Sequence, residues 1–305
     1  MASPDNTPAV EPESQLPPTH DAPHPAPRMG EHCVSERTDP DISSSGEVVK
    51  LGKTEVYISR PADVSNAPLL VLLTNAVGVH SVNNQVQADH FASAGYFVVM
   101  PDLFNGDAFK TATASDAPAQ EEQEPVRQPS LLDKIKIRTV EGVKMFMIDM
   151  WLARHTPENT DPIIDNVLTA VKETYEHKEY APSLGTYVVG YCFGGKYALR
   201  LAGPQGEKHG VVASAVAHGT LIQKEDFEGI KRPVVFACVE NDPYFPDDIR
   251  EQGRRIMDEK KADYQMEVFK GVPHGFAVYR SYPAKEIQEA QKKCFDVFVS
   301  FLNKR

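Results

Sequence analysis

Thr186-Tyr187-Val188-Val189 runs without a break into Gly190-Tyr191-Cys192-Phe193-Gly194-Gly195. An apolar strand followed by this frame is the G-x-S-x-G pattern with cysteine in place of serine. The pattern describes a strained turn between a strand and a helix, with its middle side chain raised at the top of a sheet. The flanking positions need small residues because backbone packs against them, and Gly190, Gly194 and Gly195 meet that need. The N–H of Phe193, next in line, is then open to an oxyanion. One stretch therefore predicts a sheet, a nucleophile at Cys192 and half of an oxyanion hole.

The rest of the chain supplies the sheet. Glu47–Leu51 and Glu55–Ser59 read as an opening hairpin around Gly52-Lys53. Leu69–Asn75 is continuously apolar up to Thr74, as expected of a strand buried on both faces. A helical stretch follows at Asn84–Ala94, then strands at Tyr96–Pro101, Thr186–Tyr191, Val211–Ala217, Pro233–Val239 and Tyr264–Phe269. A helix from about Ala284 to Leu302 closes the chain. Strands alternating with helices predict an α/β fold with a mostly parallel central sheet flanked by helices.

Two segments break the rhythm. Residues 1–45 hold nine of the 24 prolines, an acidic excess and few large apolar side chains. Such a segment cannot bury enough surface to offset its ordering entropy, so it is predicted to be a disordered tail ahead of a domain at 46–305. Residues 107–155 form an insertion before the nucleophile strand. It begins with a polar loop, Asp107–Ser130, and continues as a helical stretch from about Leu131 to His155. That stretch carries Met145, Phe146, Met147, Met150, Trp151 and Leu152. A long insertion at such a place reads as a lid, or as a surface helix behind a solvated loop.

Composition excludes several classes. A net charge of −11 argues against nucleic acid as a partner. No apolar run reaches the ~18 residues of a membrane span. The acidic, arginine-poor N-terminus predicts neither a secretory signal nor a mitochondrial presequence. Cys33, Cys192, Cys238 and Cys294 form no C-x-x-C pair, which predicts a reducing, cytoplasmic setting without disulfides or zinc. His20 and His24 have helical metal spacing, but the stretch is too proline-rich for a helix to be predicted there. With no H-E-x-x-H and no G-x-G-x-x-G after the first apolar strand, neither a metal nor another cofactor is predicted.

A nucleophile needs a base, and the base needs an orienting acid. In folds with this turn the chain order is nucleophile, acid, histidine. Asp242 lies just past strand Pro233–Val239, and His274 lies just past strand Tyr264–Phe269. They are fifty and then thirty-two residues further along the chain, room for one or two βα units each. Both loops fall on the same sheet edge as Cys192. Glu240 and Asp247 are rival acids less well placed. His218, after strand Val211–Ala217, is the rival base and lines the same edge.

These residues together resemble the dienelactone hydrolase family of the α/β-hydrolase superfamily, in the extended form of its fungal and other eukaryotic members. The resemblance spans about 46–305. It rests on Asn83-Asn84-Gln85, Ala88-Asp89-His90-Phe91-Ala92, Gly95-Tyr96 and Pro101-Asp102-Leu103-Phe104-Asn105-Gly106-Asp107. Trp151-Leu152 with His155, Pro162-Ile163-Ile164, Gly190–Gly195, Asp242 and His274-Gly275-Phe276 complete it. It implies an α/β-hydrolase fold and a Cys192–Asp242–His274 triad. It also implies an oxyanion hole from the N–H groups of Phe193 and Ala76. The implied substrate is a small ester or lactone, cleaved by a monomer or weak homodimer.

Two departures are visible. Asn75 stands where the bacterial type has a glutamate, and an amide cannot accept the thiol proton. Arg280 matches a substrate-gripping arginine only approximately. Asn75, His218, Phe276 and Arg280 are the predicted pocket residues. Two other uses of the same scaffold stay open: a non-hydrolytic binding or redox-responsive protein, and a biosynthetic acyl-processing enzyme.

Overall fold

The computed structural model describes residues 42–109 and 146–305. The tail at 1–41, with His20, His24 and Cys33, lies outside the described residues. So does 110–145, the greater part of the insertion.

Eight strands form one sheet: β1 (Glu47–Leu51), β2 (Thr54–Ser59), β3 (Leu69–Leu73), β4 (Phe97–Pro101), β5 (Thr186–Tyr191), β6 (Val211–Ala217), β7 (Val234–Val239) and β8 (Tyr264–Phe269). Their spatial order is β1-β2-β4-β3-β5-β6-β7-β8. β1 and β2 pair antiparallel, as does β2 with β4, and every other neighbouring pair is parallel. The chain moves outward from β3 to β4, then returns to place β5 on the other side of β3. That reversal opens a crevice between the carboxyl ends of β3 and β5, where sheets of this type bind ligands.

The longer helices are α1 (Val82–Ser93), α2 (residues 146–154), α3 (Pro157–Tyr175), α4 (Phe193–Leu201), α5 (Asp247–Glu259) and α6 (Lys285–Leu302). Alternate strand residues explain why both faces carry helices. Leu69, Val71 and Leu73 join a core with Ile164, Val167, Leu168 and Val171 of α3 and Tyr197 and Leu199 of α4. Leu70 and Leu72 join the opposite core with Phe91 of α1 and Phe298 and Leu302 of α6. A period-2 strand with both faces covered must be apolar throughout, as the sequence of β3 is. Each fully buried leucine contributes roughly 1.5–3 kcal/mol.

The differences from expectation have local causes. β3 ends at Leu73, two residues before Asn75, because the chain leaves the sheet to build a turn. There Gly78 N–H bonds the Asn75 carbonyl at 3.2 Å. α1 starts at Val82 because Ser81 caps it, accepting from Asn84 N–H at 3.4 Å. α3 and α5 are helices that the strand-based reading passed over.

The described start of the chain is tied to α1. Ser44 Oγ donates to Gln85 Oε1 and Ser45 N–H to Asp89 Oδ2, both at 2.7 Å. Tyr57 and Ser59 hydroxyls also donate to Asp89, at 2.7 and 2.6 Å. Among the described residues no helix is long and apolar enough to cross a membrane.

Candidate active site

Five adjacent strands, β3, β5, β6, β7 and β8, end on one sheet edge. Their following loops carry Asn75 and Ala76, Cys192, His218, Asp242, and His274 in that order. Cys192 takes φ 51° and ψ −113°, a left-handed conformation that ordinarily costs a non-glycine residue about 1–3 kcal/mol. The surroundings hold it there. Its N–H donates to Ala217 O at 3.1 Å, and its carbonyl accepts from Gly195 N–H and Thr220 N–H, both at 3.0 Å.

The glycines act by close approach. A Cβ on Gly190 would strike the Gly194 carbonyl, and a Cβ on Gly194 would strike the Leu73 carbonyl. Gly194 N–H donates to Thr74 O at 2.9 Å, stitching the first turn of α4 to the loop after β3. Phe193 opens α4, so its N–H has no acceptor within the helix. Ala76 is buried, and its carbonyl accepts from Phe109 N–H at 2.9 Å.

Asp242 and His274 meet. Asp242 Oδ2 lies 2.7 Å from His274 Nδ1. The other oxygen, Oδ1, accepts the Tyr244 N–H at 2.9 Å. Asp242-Pro243 is thus both a turn, as this dipeptide commonly is, and the seat of a buried carboxylate. Tyr244 packs edge-on against His274 from one side (4.8 Å between centroids), and His218 does so from another (4.9 Å). The rival acids are engaged elsewhere, Glu240 with Lys270 at 3.2 Å and Asp247 with Arg250 at 2.7 Å.

His218, the rival base, is almost wholly buried among Tyr191, His274 and Phe276, and neither ring nitrogen finds a hydrogen-bond partner among the described residues. Burial, with the positive charge of His274 and Arg280 added, holds its pKa well below the usual imidazole range. His218 is therefore neutral. Phe276 belongs to the core beneath, its ring tilted against Phe269 at 4.9 Å between centroids. Arg280 is half-buried with its guanidinium over the Tyr282 ring.

Burial pushes the Cys238 thiol up to about 12 and raises Cys294 too, so neither is a thiolate at neutral pH. Cys192 Sγ lies 3.9 Å from Thr220 Oγ1.

The described end of the insertion reaches this edge. Trp151 of α2 packs on Phe104, His155 and Phe193, and its Nε1–H donates to Asp107 O at 2.6 Å. The apolar run splits: Ile148 and Trp151 face inward, whereas Phe146, Met147 and Met150 are exposed.

Thr220, Tyr244 and Asn84 were not singled out as site residues from sequence. Tyr244 is legible as the residue two after an aspartate in a turn. Thr220 and Asn84 enter through packing. A cavity of about 370 Å³ lined by Leu69, Thr186 and Gly210 sits at the opposite edge, at the amino ends of β3, β5 and β6.

Parallel sheet, helices on both faces and a strained cysteine turn at the carboxyl edge define the class as an α/β-hydrolase. The solved structure of a dienelactone hydrolase-like promiscuous phosphotriesterase from metagenomic libraries superposes with a TM-score of 0.58 at 16% identity. The alignment covers 85% of this chain and 98% of that one. The chain matches the dienelactone hydrolase family over residues 54–305 and belongs to that family, which makes it a carboxylic ester hydrolase. Hydrolase tropI of Talaromyces stipitatus is 33% identical over 253 residues, 82% of this chain and 86% of that protein. Hydrolase pyvD of Aspergillus violaceofuscus is 31% identical over 260 residues, 85% and 90% of the two.

Proposed function

We propose that this hydrolase cleaves a small ester or lactone through Cys192, with His274 as base and Asp242 as its orienting acid. The observation that carries the reading is the buried Asp242–His274 pair on the same sheet edge as a cysteine held at φ 51°. His274 Nε2 takes the Cys192 proton, and the thiolate adds to the carbonyl carbon. The oxyanion is met by the N–H groups of Phe193 and Ala76, each worth about 3–4 kcal/mol in such a role. Collapse breaks the C–O bond, and His274 returns its proton to the leaving oxygen. A water deprotonated by His274 then attacks the thioester. The carboxylic acid departs and the thiol is restored.

Asp242 keeps the proton on Nδ1, so that Nε2 is the basic nitrogen. His218, neutral and edge-on to His274, packs the ring without adding charge. A thiolate suits the good leaving groups of esters and lactones, and histidine pairing lowers a cysteine pKa from its usual ~8.5.

The test is turnover of p-nitrophenyl acetate and of a small lactone by Cys192→Ala, with the acyl adduct on Cys192 sought by intact mass. A loss of at least about 10³-fold in kcat is expected. Undiminished turnover by the alanine variant would falsify the assignment.

A further inference from the structure

Ala76 is buried, and the peptides on both sides of it are held. On one side the Asn75 carbonyl accepts the Gly78 N–H at 3.2 Å. On the other the Ala76 carbonyl accepts the Phe109 N–H at 2.9 Å. A trans peptide is planar, and its N–H points opposite to its carbonyl. The bond to the Asn75 carbonyl therefore sets the direction of the Ala76 N–H, and the bond from Phe109 sets the next peptide plane. Packing adds to this. Gly78 takes φ 82°, and a Cβ there would lie 2.8 Å from the Ala108 Cβ and 3.4 Å from the Phe104 ring. The chain at 104–109 thus lies directly against the turn that carries Ala76.

That stretch is itself held from α2. Trp151 Nε1–H donates to the Asp107 carbonyl at 2.6 Å, and Arg154 Nε–H donates to Asp107 Oδ2 at 2.8 Å. Trp151 is the only tryptophan of the chain, and its side chain is buried. Its ring packs on Phe104 at 5.0 Å, on Phe193 at 5.5 Å and on Phe109 at 6.0 Å between centroids. One indole therefore braces the residue that carries the first oxyanion N–H, Phe193. It also braces the stretch that holds the second, at Ala76.

We infer that Trp151 is a positioning residue for the oxyanion hole: its indole N–H holds Asp107 and, through Asp107–Phe109, keeps the Ala76 N–H in register with that of Phe193. This rests on the reading of Cys192 as nucleophile and of these two N–H groups as the oxyanion donors. The indole touches no reacting atom. It governs where charge on the carbonyl oxygen is met and leaves the thiol and its base alone. The leverage is large, since a displacement of about 1 Å at a reacting centre can cost about 10²-fold in rate.

The experiment uses Trp151→Phe in the full chain, which keeps an aromatic ring and removes the indole N–H. Turnover is compared on p-nitrophenyl acetate and on its thiono counterpart, in which sulfur replaces the carbonyl oxygen and accepts hydrogen bonds poorly. For the oxygen ester, kcat is expected to fall about tenfold with KM close to wild type. The thiono ester depends little on the oxyanion donors, so the oxygen-over-sulfur rate ratio falls about tenfold as well. Alkylation of Cys192 by iodoacetamide displaces iodide at a saturated carbon and builds no oxyanion, so its rate stays at wild type. Phe109→Pro, which deletes the N–H that holds Ala76, is the second variant and gives the same pattern. A rate ratio equal to wild type in both variants overturns the inference, whether or not overall activity falls, and leaves the nucleophile assignment intact. Full ester turnover by Cys192→Ala overturns the nucleophile assignment, and the inference with it.

Discussion

Asp242 and His274 share a 2.7 Å hydrogen bond with both side chains sealed from solvent, at 0% and 2% exposure. A carboxylate in that position can only accept, so it holds the imidazole proton on Nδ1 and leaves the lone pair on Nε2.

Asp242→Asn separates that role from packing. The asparagine oxygen still accepts the Tyr244 N–H, so the loop keeps its turn. Its NH2 then faces His274 Nδ1 and demands a lone pair there, which moves the ring proton to Nε2 and blocks the base. The expected result is a fall in kcat of up to about 10⁴-fold with a thermal melt close to wild type. A kcat within tenfold of wild type would remove Asp242 from the mechanism.

His218 makes a prediction about acid. Its folded pKa is held well below 6.5, first by burial and then by the charges of His274 and Arg280. Below about pH 6.5 the unfolded chain binds a proton at this histidine and the folded one does not. Stability is therefore full above that pH and is lost as pH falls, by about 1.4 kcal/mol per unit. His218→Phe fills the same space between Tyr191, His274 and Phe276 without the titration. Urea unfolding at pH 7 and pH 5 should show an acid-induced loss smaller than wild type by up to about 2 kcal/mol. Equal losses in the two proteins would mean that His218 takes up its proton in the folded state. His90, also lowered by burial, adds its own share in both proteins.

Gly194→Ala tests the turn. The added methyl meets the Leu73 carbonyl, which is strand backbone and cannot swing aside, and the Leu73 Cβ at 2.8 Å. A destabilisation of about 3 kcal/mol is expected from denaturant melts, at the top of the usual overpacking range. Esterase activity should fall with it, because any relief shifts Cys192. A variant as stable as wild type would show that β3 and α4 part more easily than their hydrogen bonds suggest.

Much of this site was legible because its signals are local. The turn at Cys192 is written into consecutive residues, since only glycine fits where Gly190 and Gly194 touch backbone. β5 and β6 begin and end where their apolar runs do, because a strand covered on both faces has no polar face to blur its limits. β3 was read two residues long for the opposite reason: Thr74 and Asn75 continue the run in sequence but leave the ladder to form the turn before Gly78.

What sequence by itself determined was the chain order of Cys192, Asp242 and His274, and the sheet edge on which they fall. Chain order and strand direction suffice for that. Only the tertiary structure decided what surrounds them. Asn84 Nδ2 holds the Asn75 amide oxygen from the start of α1. His218 and Tyr244 grip the His274 ring from two loops, and Trp151 reaches Phe193 from an insertion more than forty residues upstream. Such contacts join residues with no periodic or spacing relation, so no pattern along the chain encodes them. The strained cysteine at the end of β5 is where the two kinds of information meet. Its glycines announce the turn, and the carbonyls of Ala217 and Leu73 on neighbouring strands, with that of Thr74 in the loop after β3, make it the conformation the chain must adopt.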